Sequence, residues 1–142
     1  MTKRFFTPQE VNELIPELSR LIAYLRRLDG EFQEKLSLLK QAKVEAHRGG
    51  QPEGDPFMGA EAELEFLRLL LQAQFTQVKE LGGEVKQGFL VDFLGQIDGQ
   101  EVLLCWQPGE SEVRHYHGLD EGFLGRRPIP PALSNPPNPS ES

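Results

Sequence analysis

The sequence is short of cysteine, of basic residues and of long apolar runs. Its one cysteine, Cys105, excludes an internal disulfide framework and fits a reducing cytoplasm. No stretch approaches the roughly 18 to 20 apolar residues of a membrane span, and the charged start of the chain leads into no apolar signal segment. We therefore expect a cytoplasmic protein that does not cross a membrane.

Basic residues are outnumbered, with 15 Lys and Arg against 22 Asp and Glu and a net charge of -7. Nucleic acid is not an expected partner, because phosphate binding needs a basic face. The sequence also lacks H-E-x-x-H, paired C-x-x-C, G-x-x-x-x-G-K and G-x-S-x-G motifs. These absences favour a non-enzymatic protein; no cofactor is required, and a divalent metal is left open.

Two helices are predicted in the first part of the chain. The first opens on a capping box, in which Thr7 and Glu10 each satisfy the backbone amide of the other. Apolar residues then recur three and four apart, and the same spacing returns after a loop rich in Gly and Pro. The predicted segments are a helix over residues 8–46, a loop over 47–59 and a helix over 60–81, folded as an antiparallel hairpin over 8–82.

Beyond Gly83 the apolar period changes to two, which predicts strands. Asp98 and Gly99 form a two-residue hairpin turn that requires positive φ. The strands are expected to form a four-stranded antiparallel meander. The predicted protein is α+β, with one domain over residues 1–129 that contains the meander over 84–117 and a Gly/Arg loop over 118–129, and with a Pro-rich tail over 130–142, extended or disordered.

The two predicted helices differ in length, at ~58 Å and ~33 Å, so the second covers only part of the first. The apolar stripe from Val11 to Ile22 is left for the sheet, for a second copy of the protein, or for both. The leading hypothesis is therefore a non-enzymatic interaction or assembly module. It would form a homodimer, or bind another protein, through residues 8–46.

The turn at Asp98 and Gly99 fixes the register of the hairpin around it. It sets Ile97 opposite Gln100 and therefore Asp92 opposite Cys105. One face of the hairpin is then apolar and faces the core, and the face with Asp92 and Cys105 is mixed. If the next turn sets Gln107 against Glu112, Arg114 falls beside Cys105 on the mixed face.

Asp92, Cys105 and Arg114 would then form a row across three strands. One interpretation is a partly exposed sheet face in which Cys105 packs as a small hydrophobic residue. The other is a ligand or nucleophile site, in which Arg114 stabilises a Cys105 thiolate and Asp92 opposes its ionisation.

His115 and His117 lie two apart on one predicted strand and so share a face, which the register makes the core face. Both imidazoles could reach one metal, with Asp120 or Glu121 as an oxygen ligand from the following loop. The alternative is structural: one histidine buried and hydrogen-bonded, the other at the rim.

The loop at residues 122–127 contains two glycines, an aromatic residue and the pair Arg126 and Arg127. Its backbone amides and guanidinium groups could bind an anion. Alternatively, Phe123 covers the sheet and the arginines pair with acidic residues of the surface.

Three blocks of sequence resemble the bacterial family catalogued as domain of unknown function 2203. The blocks are residues 5–18 (FFTPQEVNELIPEL); 88–93 (GFLVDF) with 104–106 (LCW), Gly109 and Glu110; and His117 with 120–123 (DEGF) and 125–129 (GRRPI). The resemblance implies an uncharacterised protein with no assigned activity. It brings forward as motif positions Asp92, Cys105, Trp106, Glu110, His117, Gly122 and Arg126. His115 stands where the family more often has an aromatic residue, which weakens a metal site on that pair.

The alternative to the interaction module is a protein that binds a small ligand or metal, or a metal-dependent enzyme. Its site would lie where the fourth strand meets the loop at residues 122–127. There His117 would be a ligand or base, Asp120 or Glu110 its acid partner, and Arg126 the anion clamp.

Overall fold

The computed structural model describes residues 3–50 and 53–131, in an α+β arrangement of two helices and five strands. Of the predicted Pro-rich tail, residues 132–142 lie outside the described residues. None of the described helices is both long and apolar enough to cross a membrane. The elements are α1 Pro8–Arg48, α2 Met58–Leu81, β1 Gly83–Val85, β2 Val91–Ile97, β3 Gln100–Trp106, β4 His115–Gly118 and β5 Arg127–Pro128.

The described residues divide into two compact units, one made of residues 3–22 and 77–131 and the other of residues 23–50 and 53–76. In the second unit, Lys35 pairs with Glu63 at 3.1 Å and Lys43 with Glu61 at 2.8 Å. Because positions rise along α1 as they fall along α2, the helix segments of this unit run antiparallel. That the two units form one domain stays a prediction.

The predicted cap begins α1. The Thr7 amide donates to Glu10 Oε1 at 3.0 Å, and the Glu10 amide donates to Thr7 Oγ1 at 3.1 Å. These bonds satisfy two of the amides that a helix start leaves without partners. The cap therefore stabilises the first turn of α1. The apolar stripe that faces the sheet begins in this part of the helix.

The sheet of the first unit is an antiparallel meander in the order β1-β2-β3-β4-β5. The predicted register of its central hairpin is confirmed: Ile97 pairs with Gln100, and Asp92 pairs with Cys105. Asp98 and Gly99 adopt φ of 52° and 79°, as a two-residue turn requires. Asp92 and Cys105 therefore share one face of this hairpin, as the sequence predicted.

One face of the sheet packs on the first turns of α1. The core holds Val11, Ile15, Leu18 and Ile22 from that helix with Val91, Phe93, Val102, Leu104 and Trp106 from the sheet. The sheet therefore covers the apolar stripe that the unequal helix lengths left over. Covering by a second copy of the protein stays a prediction.

The antiparallel meander has one strand more than the predicted four, since β4 is His115–Gly118 and β5 adds a fifth strand. Cys105 pairs with His115 and not with Arg114. The reason lies outside the sheet, because the Val113 amide donates to Asn12 Oδ1 on α1 at 2.7 Å. The chain is held on the helix there, so it enters the sheet one residue later than the predicted turn allows.

That one-residue shift moves every side chain of β4 to the face opposite the predicted one. The row of Asp92, Cys105 and Arg114 is therefore not formed, and the Arg114 side chain is exposed. The predicted core-face position of His115 and His117 is also wrong. Both histidines lie on the mixed face, with Asp92 and Cys105.

Candidate functional site

Three chemically active side chains meet on the mixed face of the sheet. Asp92 comes from β2, Cys105 from β3 and His117 from β4, and only 1–3% of each residue is exposed. The carboxylate, sulfur and imidazole atoms lie within 4.8 Å of one another. Carboxylate, thiolate and imidazole are the ligand types that zinc and related divalent metals accept. We call these three residues the DCH cluster.

His117 is held at both ring nitrogens. Its Nδ1 lies 2.9 Å from the Gly118 carbonyl oxygen, and its Nε2 lies 3.2 Å from each carboxylate oxygen of Asp92. A neutral imidazole has one N–H and cannot donate to both sides. When Nδ1 donates to Gly118, the Nε2 lone pair faces the carboxylate, and a proton or a metal cation is needed between them.

Cys105 is a thiol in this environment. Burial, together with the charge of Asp92, raises the pKa of the Cys105 thiol to about 12. The predicted stabilisation of a Cys105 thiolate by Arg114 is not available, because Cys105 pairs with His115. Ionisation of the Cys105 thiol near neutral pH would therefore need a cation bound to the sulfur.

A second cluster lies beside the first, around Arg126. Its guanidinium donates to Gln107 Oε1 at 3.4 Å and lies 3.0 Å from His115 Nδ1 and 3.9 Å from Glu110 Oε1. The Arg126 side chain is 9% exposed, and Phe123 lies 5.0 Å from its guanidinium carbon. Arg126 therefore ties the Gly/Arg loop to the end of β3.

Glu110 shapes the turn that follows β3. Its Oε1 accepts from the Gln107 amide at 2.7 Å, and its carbonyl accepts from Trp106 Nε1 at 3.0 Å. Trp106 itself belongs to the core face. The motif residues Trp106 and Glu110 therefore set the geometry of the turn and position Gln107.

A cavity of about 570 Å³ opens over the mixed face. This volume falls in the range of small-molecule sites. Asp92 and His117 of the DCH cluster are in its wall. The other lining residues are Lys86, Gln87, Gly88, Leu90, Leu103, Gln107, Leu119, Glu121, Gly122 and Phe123.

Glu121 organises the loop at one side of this cavity. Its carboxylate accepts a hydrogen bond from the Gly118 amide at 2.8 Å and another from Arg127 Nη2 at 3.0 Å. The hydrogen bond from the Gly118 amide is the main cause that lowers the pKa of Glu121. A Cβ at Gly118 or at Gly125 would lie within 2.8 Å of this carboxylate. Arg127 therefore serves the loop as the partner of Glu121.

The structure separates the predicted metal ligands His115, His117 and Asp120 from one another. Among the described residues, the group close enough to share one ion is the DCH cluster, and His115 and Asp120 lie outside it. His117 is buried and hydrogen-bonded, whereas the side chain of His115 is 34% exposed. His117 therefore joins Asp92 and Cys105, which belong to a different predicted set, and metal binding by His117 stays a prediction.

The sequence reasoning missed Lys86 and Gln107 as cavity residues. A signal existed for Gln107, because it follows Leu103 and Cys105 at every second position and so continues their face. No such periodicity marks Lys86, which lies in the connection between β1 and β2. That connection closes when the Lys86 amide donates to the Leu90 carbonyl at 2.7 Å.

A family model described as "Uncharacterized conserved protein (DUF2203)" matches residues 4–129. No curated protein and no solved structure matches the chain. The family match spans most of the sequence and includes every residue of the two clusters and the cavity. The chain therefore belongs to the DUF2203 family, as its sequence motifs indicated.

Proposed function

We propose that this DUF2203 protein binds one divalent metal ion of the zinc class through the DCH cluster. In this proposal the ion serves a small-molecule site in the adjacent cavity. The observation that carries it is the approach of the three buried donor atoms to within 4.8 Å of one another. Such an N, S and O donor set suits zinc, cobalt and nickel better than calcium or magnesium.

The hydrogen bond from His117 Nδ1 to the Gly118 carbonyl supports this assignment. Metal-bound histidines usually donate their second ring N–H to a carbonyl or carboxylate, which fixes the tautomer. His117 Nε2 then offers its lone pair toward Asp92 and Cys105. A cation between them would replace the proton that the metal-free arrangement needs.

Charge balance also supports it. A dication has a charge of +2, and the Cys105 thiolate and the Asp92 carboxylate each contribute −1. The occupied site would therefore be neutral, and its burial would leave no uncompensated charge. Three protein ligands leave a fourth position of a tetrahedral ion open, as in catalytic rather than structural zinc sites. The cavity beside Asp92 and His117 gives that position access to a small molecule.

Cobalt titration of the chelator-treated protein tests the proposal. We expect one equivalent of Co²⁺ to bind, with tetrahedral d–d absorption and a thiolate-to-cobalt charge-transfer band. Cys105→Ser should lose the charge-transfer band, and His117→Ala should bind more than tenfold more weakly. His115→Ala should retain both bands, because His115 lies outside the DCH cluster.

Two results would overturn the metal proposal. One is the absence of stoichiometric Co²⁺ or Zn²⁺ binding at micromolar concentration by protein with intact circular dichroism. The other is a cobalt spectrum that survives Cys105→Ser and is lost in His115→Ala, which would return the site to the set predicted from His115, His117 and Asp120.

A second candidate function is assembly through the helices of residues 23–76. Large apolar side chains are exposed there, namely Leu38 at 57%, Val44 at 53%, Met58 at 65%, Phe66 at 62% and Leu69 at 50%. Exposed apolar side chains of this size favour a protein partner or a homodimer. Light scattering that gives a clean monomer at micromolar concentration would contradict dimerisation.

A further inference from the structure

We infer that the ligand of the cavity is a small carboxylate with an apolar body, recognised by Gln107 and Lys86. This inference rests on the proposed metal site and extends it to the class of molecule bound there. Its starting point is the orientation of the Gln107 amide, which the neighbouring Arg126 determines.

Arg126 has only N–H groups to offer, so the Gln107 atom that faces it is the carbonyl oxygen Oε1. The Gln107 NH₂ group is thereby left to point elsewhere, and no hydrogen-bond partner for it occurs among the described residues. Because Gln107 lines the cavity, this group presents donors to whatever enters. Gln107 is exposed, so water can reach this group, and a ligand that replaces the water must carry an acceptor atom.

The charges of the cavity select the same chemistry. The Glu121 carboxylate is already balanced by Arg127 at 3.0 Å. The Asp92 carboxylate would bind the metal, which would neutralise its charge. Lys86 is then the cationic group of the cavity wall, and its pair with Glu84 at 3.3 Å is exposed to solvent and therefore weak. The balance favours an anion over a neutral or cationic ligand.

The apolar part of the wall is formed by Leu90, Leu103, Leu119 and Phe123. A hydrated inorganic anion would leave these side chains without contacts, whereas an alkyl or aryl group would bury them. One carboxylate oxygen would take the open metal position, and the other would accept from Gln107 and Lys86. The carbon body would lie on the leucines and Phe123.

Calorimetry on the zinc-loaded, full-length protein tests this inference with acetate, isovalerate and benzoate as probes. Each acid is paired with its neutral amide, and inorganic phosphate serves as an anion without an apolar body. We expect isovalerate or benzoate to bind at least tenfold more tightly than its amide, than acetate and than phosphate. Zinc-free protein should bind the same acid at least tenfold more weakly.

Two variants locate the recognition. Gln107→Leu keeps the size of the side chain and removes its donors, so carboxylate binding should weaken about tenfold. Lys86→Gln should weaken the acid and leave the amide unchanged. Gln100→Leu and Lys79→Gln change the same residue types outside the cavity and should bind like the wild type.

The outcomes separate the two proposals. Failure to load zinc overturns the metal site and this inference together, and the loading step alone reveals it. Zinc loading followed by equal binding of acid and amide overturns only the choice of a carboxylate. So do tighter binding of phosphate, binding of none of the three acids, and unchanged binding by Gln107→Leu.

Discussion

Asp92 and His117 meet across an intervening strand, with His117 Nε2 3.2 Å from both oxygens of the Asp92 carboxylate. Each residue is 3% exposed. Asp92 lies on β2 and His117 on β4, so the contact passes over β3 beside Cys105. A buried pair of this kind is costly to break from one side, because the remaining polar group keeps its desolvation penalty.

The first prediction concerns this pair in the metal-free protein. Asp92→Leu and His117→Leu should each lower the free energy of unfolding by about 3 kcal/mol, and the double variant should cost less than their sum. The coupling energy should exceed ~1 kcal/mol, because each single variant leaves a buried polar side chain without its partner and the double variant does not. Urea unfolding with a chelator present measures all four proteins.

The exposed pair Lys3 and Glu101, 3.2 Å apart, is the matched control. Its own double-mutant cycle should give a coupling of about 0–1 kcal/mol, because solvent screens the charges. Additive effects of Asp92→Leu and His117→Leu would contradict the prediction. They would mean that the two side chains contribute to stability independently.

The part of the site that sequence reasoning found depends on a local turn. The two-residue loop at Asp98 and Gly99 fixes the β2–β3 register, and alternation along each strand then places Asp92 beside Cys105. Every step uses residues close in sequence. The same holds for the cap at Thr7 and Glu10, in which the partners are three residues apart.

The part it missed depends on contacts between distant residues. The bond from the Val113 amide to Asn12 spans 101 positions, and it holds the chain on α1 just before β4 begins. Strand β5 pairs with β4 only after the loop turns back, a turn that Glu121 stabilises through Gly118 and Arg127. Neither contact leaves a periodic pattern in the sequence, so local rules could not place His117 in the DCH cluster.

The second prediction concerns alkaline stability without metal. The pKa of the Cys105 thiol rises from 9.0 to about 12 on folding. Above pH ~9 the unfolded chain releases this proton while the folded chain keeps it, so unfolding becomes easier as pH rises toward about 12. Below pH ~9 the thiol is protonated in both states and contributes no pH dependence.

Urea unfolding at about pH 8 and about pH 10.5, under reducing conditions, checks this sign. The wild type should lose about 2 kcal/mol more between these conditions than Cys105→Ala does. Other groups titrate in both proteins, so their contributions cancel in the comparison. Equal losses would mean that the folded protein does not suppress ionisation of this thiol.

The third prediction concerns protons released on metal binding. A thiol with a pKa of about 12 is protonated near neutral pH, and a metal must displace its proton to bind the sulfur. Zinc binding by the wild type should therefore release about one proton more than zinc binding by Cys105→Ser, and its affinity should rise with pH more steeply. Calorimetry in two buffers of different ionisation enthalpy counts the protons. Equal proton release would place the sulfur outside the coordination sphere.

The fourth prediction uses two glycines with opposite surroundings. A Cβ at Gly95 in β2 would lie 2.9 Å from the Phe6 carbonyl oxygen and 3.0 Å from the Leu104 side chain. The chain before α1 is held there, because the Phe6 amide donates to the Leu94 carbonyl at 2.7 Å. Gly95→Ala should therefore lower the free energy of unfolding by about 1–3 kcal/mol through overpacking.

Gly30 lies inside α1, and a Cβ there would meet nothing within 4 Å. Gly30→Ala should raise the free energy of unfolding by about 0.5–1 kcal/mol, because alanine restricts the unfolded chain and favours the helix. Urea unfolding of both variants under one condition gives the two signs directly. A Gly95→Ala protein as stable as the wild type would show that the N-terminal segment moves off the sheet without cost, so the bond between Phe6 and Leu94 would contribute little to the fold.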